Sequence, residues 1–545
     1  LSRGLGDVYK RQFPKYVKIN DLDLVMAIRE GMNPMLEWYD KKHNNLPYFW
    51  NYISGPKYGN SHHKSYSCVH SMGRWLDALV NAEAITGEVV PQEIYDQLAF
   101  WAYEIFNNDT GMMANLNVNT FEWEKVCDLH NLREAMYAFV ALLKKNPNDQ
   151  KAKKGAEHLI DMVDRYTDFE TGNWKTDLYE RECGGKVECG ASSEREVYRF
   201  SSTLGRYIGG LVRLYMVYPY DKALDQAIRL TDTALKNVLL DDGEFDRERF
   251  AEHLHSTSSM ISGIAMLGSL IQNQEILCRV KKFMENGYYQ VATDFGWCLE
   301  NDKRVDNWVG EINNTGDYLE ACLCLGKAGY EEYYDRADKM IRCHLLPSQL
   351  LDVSFISDEE SEDDSISKMA TRMKGAFGFP CPYGHEYEPG SEISFNWDIV
   401  GGGVSSLCWA YNHIVTNVNG IISVNLQFDY EDEKICYRTP YSCGEMKILL
   451  KEDRVVRCLM PKDVDWNALI KELNRQSILF YIEGQWLYLY GIYQKGMLRL
   501  PVKYLKQRKK YSFRNNELLV DYVGNRIVGM SSEGKRLCFF KEVNK

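Results

Sequence analysis

The sequence predicts a mainly α-helical fold, an (α/α)6 toroid of helical hairpins, followed by a C-terminal β-sandwich. Three observations predict it. One helix is written repeatedly along the chain, a more charged helical pattern follows most of its copies, and after His413 the pattern changes to short β-branched and aromatic runs. The expected division is residues 13–417 for the toroid and 418–545 for the sandwich. Residues 1–12, LSRGLGDVYKRQ, resemble translated adapter read-through at the ends of genes assembled from environmental DNA and are set apart from the fold.

The repeated helix reads HSMGRWLDALVNAEAITG from His70, HNLREAMYAFVALLKK from His130 and SSTLGRYIGGLVRLYMV from Ser201. It returns as HSTSSMISGIAMLGSL from His255, EINNTGDYLEACLCLGKAG from Glu311 and GGGVSSLCWAYNHIV from Gly401. Apolar residues at i, i+3, i+4 and i+7 make each an amphipathic helix, with small residues that let neighbours approach. Between the copies lie helices with one wet face, beginning near Pro91, Gln150, Asp221, Asn273 and Glu331. Inner helices that are apolar nearly all round bury both flanks only against each other, which closes the ring. An open solenoid would have shorter and more regular repeats. After Ile421 come IISVNLQFDY, KICYRTPY, EMKILLKE, RVVRCLMP, SILFYIEGQWLYLYGIY and further runs punctuated by turns, which predict eight or nine strands.

A net charge of -12 argues against nucleic acid and anionic membranes as partners, and no run of 18 apolar residues is present to span a bilayer. No secretory leader is visible, so a cytoplasmic address is expected, with room for a homo-oligomer. The 15 cysteines form no CxxC pair and read as buried and reduced; Cys183 and Cys189, in RECGGKVECG, are read as structural, and Cys408 as core. With 36 tyrosines and 12 tryptophans the chain has the flat rings that cover a sugar's apolar face, so a carbohydrate is the expected partner. The acidic loop SDEESEDDS, Ser357 to Ser365, reads as a solvated surface insertion.

The candidate site follows from where the apolar pattern stops. At the starts of the inner helices stand His70, His130, Ser201 with Ser202, His255, Glu311 with Asn313, and Asp398. One such histidine is an ordinary helix-end residue; several at one register suggest a shared pocket, since neutral imidazoles both donate to and accept from hydroxyls. Trp297 and Trp397 complete the expected sugar-binding set. Glu194 and Glu196 precede the third inner helix, Asp128 precedes His130, and each serves equally well as a helix cap. Arg74 and Arg206, at matched positions in two copies, read as interhelix packing or ion pairs. Gly401 to Gly403 have no phosphate-loop context and read as close helix packing or room for substrate to approach.

Phe295 to Gln349, FGWCLE…VGEINNTGDYLEACLCLGKAGYEEYYDRADKMIRCHLLPSQ, with WDIVGGGVSSLCWAYNHIV and NGIISVNLQF, resembles the β-L-arabinofuranosidase-like glycoside hydrolases of family 127. The resemblance implies an (α/α)6 barrel with β-sandwich material, retaining removal of terminal sugars, and contact of His130 and His255 with substrate. It also implies zinc on a glutamate, a cysteine two residues later and a cysteine pair, one of which is the nucleophile. Here the first element reads Glu311-Ile312-Asn313 and the second FNWDIVGGG, without cysteine. Zinc in a thiolate site needs that sulfur, so no metal, no cofactor and no cysteine nucleophile are expected. Hydrolysis then rests on a carboxyl pair. Glu300 stands where the family carries its acid/base, beside Phe295 and Trp297, and Asp398 or Glu311 is the expected nucleophile or base. The alternatives are an unsaturated-uronyl hydrolase or sugar epimerase on the same toroid, or an inactive glycan-binding protein.

Overall fold

The computed structural model describes residues 23–52, 61–65, 67–108, 110–188, 200–303, 308–385, 394–532 and 537–544. Residues 1–12, Cys189, Glu194 and Glu196 lie outside the described residues. Helix α1 is Leu24–Glu37, α2 Ser67–Thr86, α3 Gln92–Glu104, α4 Leu132–Lys145 and α5 Gln150–Tyr166. Then come α6 Thr176–Cys183, α7 Leu204–Val217, α8 Asp221–Asn237, α9 Leu254–Leu270, α10 Gln274–Glu285 and the short α11 Tyr288–Val291. The last are α12 Ile312–Lys327, α13 Glu332–Met340, α14 Met369–Met373 and α15 Trp397–Asn412.

The six repeated segments are α2, α4, α7, α9, α12 and α15, and they form a closed ring in that order, with α15 returning to α2. Burial explains the arrangement. Every residue of α9 from Leu254 to Gly268 and of α12 from Ile312 to Gly326 is buried. The outer α5 buries only Ala152, Ala156, Leu159, Ile160, Val163 and Tyr166, one stripe of an otherwise wet helix. Its start is fixed by Asp149, whose side chain accepts from the backbone N–H of Lys151 and Ala152. Inner helices approach closely where a residue lacks a side chain: a Cβ at Gly73 would run into the backbone carbonyl of Glu134 on α4.

Five outer helices, α3, α5, α8, α10 and α13, fall where the sequence predicts them. The sixth place is taken from the other end of the chain. Helix α1 packs against both α15 and α2, and is held by Gln349 Nε2 donating to the Ala27 carbonyl (2.8 Å) and Asn33 Nδ2 to the Lys374 carbonyl (2.9 Å). No repeat motif marks α1, and Pro34 in its last turn weakens the helical pattern.

Short two-stranded pairs occur within the toroid, and the strand-rich region begins at Val415. Two sheets share one hydrophobic cluster that includes Val424, Tyr437, Ile448, Cys458, Leu487 and Leu500. One has five strands, ordered Val415–Val418, Ile421–Val424, Val455–Leu459, Trp486–Tyr490, Leu479–Glu483; the other has four, Tyr430–Glu431, Ile435–Arg438, Glu445–Leu450, Leu498–Pro501. These nine strands are the expected sandwich. A helix, Trp466–Arg475, lies between two of them, which the alternating pattern did not predict.

A third C-terminal sheet, Lys506–Phe513, Asn516–Val523, Arg526–Met530 and Lys541–Glu542, belongs to neither layer of the sandwich. Its apolar face, with Phe513, Leu518, Val520, Tyr522 and Ile527, joins the toroid's core. The tip of its first hairpin braces the segment that carries Glu300. Phe513 packs edge-on against Trp297 (5.4 Å between centroids), and Arg514 Nη2 donates to Asp302 Oδ1 (2.6 Å).

The acidic loop is largely exposed, and Asp358 Oδ1 caps the Thr371 N–H at 2.8 Å, so it sits on the surface as expected. Cys408 is buried, and Cys183 is partly buried with its thiol 3.4 Å from the Tyr166 hydroxyl. Among the described residues no helix is long and apolar enough to cross a membrane.

Candidate active site

The starts of the inner helices bring His70, His130, His255, Glu311, Asn313 and Asp398 into one polar cluster. The 3-10 turn Leu129–Asn131, capped by Asp128, presents His130 just before α4; Glu311 is the N-cap residue of α12, and Asp398 lies in the first turn of α15. All six are buried, with 1–4% of each exposed, so any charge among them is felt at low dielectric.

The centre of the cluster is a residue that the sequence reading passed over. Glu134, on α4, is wholly buried, and its Oε1 accepts from Arg74 Nη2 (2.9 Å), Arg133 Nη2 (3.0 Å) and Arg206 Nη2 (2.7 Å). The ion-pair reading of Arg74 and Arg206 is therefore right in kind, but their shared partner is Glu134. Burial would raise the Glu134 carboxyl, and the charges of Arg206, Arg133 and Arg74 overcome it and hold the carboxyl far below its ordinary value. One carboxylate serves three guanidiniums, and burial takes Arg206 down to about 10, still protonated at neutral pH. Arg133, with Asp317 as a second partner at 3.3 Å, goes the other way.

His255 sits against all three arginines. Its Nε2 is 2.8 Å from Arg133 Nη2 and 3.0 Å from Arg74 Nη2, and its Nδ1 is 3.3 Å from Arg206 Nη1 and 3.4 Å from Glu311 Oε1. Guanidinium N–H groups only donate, so Nε2 accepts and the ring proton belongs on Nδ1. Burial, then Arg206, Arg133 and Arg74, hold His255 neutral. Burial likewise lowers His70, to about 3, and His130. Their rings stack with centroids 5.2 Å apart, and His130 Nδ1 donates to the Ser202 carbonyl (2.9 Å), leaving Nε2 as an acceptor.

The carboxyls diverge. Burial would raise Glu311, but hydrogen bonds from His253 Nε2 to Oε2 (3.2 Å) and Asn313 Nδ2 to Oε1 (2.8 Å) hold it below its ordinary value. His253, also missed from the sequence, is the one histidine of this cluster with a raised pKa: burial opposes it, while Glu311 and Glu300 favour its charged form. Burial pushes Asp398 up to about 6, against the pull of Arg74, whose Nε lies 3.7 Å from Oδ2. Asp398 Oδ1 is buried with no hydrogen-bond partner among the described residues. Glu300, in the segment between α11 and α12, is partly buried; its carbonyl accepts from the Leu254 N–H at the start of α9 (3.0 Å) and its N–H donates to the Val309 carbonyl (2.9 Å).

The two tryptophans of the expected sugar-binding set are corrected by the structure. Trp297 is wholly buried between Trp308 and Phe513 and donates to the Pro380 carbonyl (2.9 Å). Trp397 is equally buried, stacked on Trp38 at 4.9 Å. Both rings belong to the core, so neither offers a face to a sugar.

The toroid with its strand-rich C-terminal region is similar to solved structures of glycoside hydrolases. A family 127 β-L-arabinofuranosidase from Geobacillus stearothermophilus T6 matches with a TM-score of 0.53 and 9% identity, over 94% of this chain and 86% of that one. The chain has the family 127 fold. A second family 127 β-arabinofuranosidase matches at 0.56 and 11% identity, and a further glycoside hydrolase at 0.54 and 10%, each over 94% of this chain and 83% of the other. In sequence the chain matches no family model and no curated protein.

The zinc that the family 127 resemblance implies does not fit these residues. Asn313 replaces one sulfur, and its Oδ1 accepts from Arg74 Nη1 (3.0 Å). His253, His255 and Glu311 do bring three donor atoms within 4.8 Å of one another. Both nitrogens of His255, however, face guanidinium N–H groups, and two like charges about 4 Å apart repel by about 4 kcal/mol at an effective dielectric of 20.

Proposed function

We propose that the chain is a glycoside hydrolase that removes a terminal sugar, of the L-arabinofuranose kind or similarly small, by carboxylate catalysis at the histidine-lined end of the toroid. One observation carries the reading: the inner-helix starts bring Asp398, whose Oδ1 is buried with no hydrogen-bond partner among the described residues, into one cluster with neutral imidazoles and an ionised Glu311.

In this reading Asp398, ionised above about pH 6, is the nucleophile or base, and its Oδ1 has no competing hydrogen bond. Glu300, less buried and beside His253, is the acid. Glu311 is bound on both oxygens and works as the ionised anchor that orients His253 and Asn313. Neutral His130, whose N–H is taken by the Ser202 carbonyl, accepts from a sugar hydroxyl through Nε2, with neutral His70 stacked beside it. The family 127 fold supports the substrate class, and retention or inversion follows from the carboxyl separation in a sugar complex.

A panel of nitrophenyl and natural glycosides, including β-L-arabinofuranosides, tests this, with Glu300→Gln expected to abolish the turnover found. Sugar binding without turnover of any glycoside refutes hydrolysis and leaves a glycan-binding protein. Activity confined to 4,5-unsaturated uronides refutes the substrate class.

A further inference from the structure

The resemblance puts a zinc ion between the fifth and sixth inner helices, on residues from α12 and α15. In this chain that space is entered from α2. Arg74 is 4% exposed and reaches four other inner helices. Its Nη1 donates to Asn313 Oδ1 on α12 (3.0 Å), where the resemblance places a sulfur, and its Nε faces Asp398 Oδ2 on α15 (3.7 Å), in the segment that replaces the cysteine pair. Its Nη2 donates to Glu134 Oε1 on α4 (2.9 Å) and to His255 Nε2 on α9 (3.0 Å).

The neighbouring backbone is cut to fit this side chain. A Cβ at Gly402 would overlap Asn313 Oδ1 and lie 2.6 Å from Arg74 Nη1, and one at Gly401 would lie 3.0 Å from Arg74 Cβ. The glycine run thus lets α15 close onto the guanidinium and onto Asn313 together.

We infer that the Arg74 guanidinium is the built-in cation of this site, standing where the resemblance places zinc, so that the site takes no metal. A guanidinium suits the exchange. It stays protonated, its donors lie in a fixed plane matched to carboxylate and amide oxygens, and no chelator can remove it. It supplies positive charge beside Asp398 and an anchor for Asn313, which in turn donates to Glu311. It supplies no Lewis acidity and needs no thiolate, which agrees with Asn313 and FNWDIVGGG at the sulfur positions.

The test uses the whole protein and no substrate, so its failure and the failure of the glycosidase reading are told apart. Wild type equilibrated with zinc and then desalted is expected to retain no stoichiometric zinc, and its melting temperature is expected to be unmoved by zinc or EDTA. Arg74→Ala is expected to melt lower, with millimolar methylguanidinium restoring part of the loss and equal methylammonium not doing so. Arg74→Lys, which keeps the charge but reaches fewer partners, is expected to fall between. Stoichiometric zinc in the wild type with a melting temperature lowered by EDTA overturns the inference, and so does an Arg74→Ala protein as stable as wild type. If Arg74→Ala does not fold, the wild-type zinc content and the Arg74→Lys melt decide.

Discussion

Glu134→Gln isolates the energetics of the cluster, because it removes one charge and keeps shape and one carbonyl acceptor. In the native protein Oε1 receives hydrogen bonds from Arg74, Arg133 and Arg206. A hydrogen bond to a charged group is worth about 1.5–3 kcal/mol and a neutral one about 1 kcal/mol. Four N–H groups reach Oε1, Arg133 Nε among them, so weakening each by about 0.5–2 kcal/mol costs about 2–8 kcal/mol together, a span that contains the ~3–5 kcal/mol found when one partner of a buried ion pair is lost. Urea unfolding at pH 7 measures it, with circular dichroism to check that the fold persists. A loss below about 1 kcal/mol would refute the reasoning, since three buried guanidiniums would then tolerate losing their shared counter-charge. The pH dependence carries the same sign. Glu134 is held far below its ordinary value, so its contribution is fully present above the unfolded value of 4.5 and is lost as the pH falls through the folded one. The variant should close the gap to wild type in acid.

Asp398 should behave in the opposite sense. Its folded pKa of about 6 lies above the ordinary 3.8, so ionisation weakens the fold as the pH rises between those values. Asp398→Asn is expected to be more stable than wild type at pH 7, by up to about 3 kcal/mol, with the advantage shrinking toward pH 4, while turnover is lost; melts at the two pH values read it. Gly402→Ala should cost about 1–3 kcal/mol by overpacking and depress turnover more than sugar affinity, because the new Cβ displaces Asn313 and Arg74 rather than the histidines; paired kcat and KM measurements check it.

The ring was legible because its repeat is physical: each inner helix must be apolar nearly all round, and that signature survives in α2, α7 and α12 alike. The histidines were legible for a related reason, since polar residues at one register in repeated apolar helices have few places to go. Glu134 was visible as the second charge of Arg133-Glu134, one turn after His130 in an apolar helix, but nothing local says that three arginines from three helices converge on it. Trp297 and Trp397 show the converse. A tryptophan beside a candidate carboxyl is equally a sugar platform or a core residue, and only the packing of Phe513 and Trp38 decides. The third sheet reads locally like the other two, and its apolar face meets the toroid only in three dimensions.

Helix α1 has a bearing on how the molecule is made. The ring gains its sixth outer helix only when Leu24–Glu37 meets α15, Trp397–Asn412, more than 350 positions downstream. During synthesis this helix can meet α2 early, but its face toward α15 stays uncovered until more than 350 further residues have been made. Its docking on α15 is among the most non-local events in the structure, which makes closure of the circle a late step.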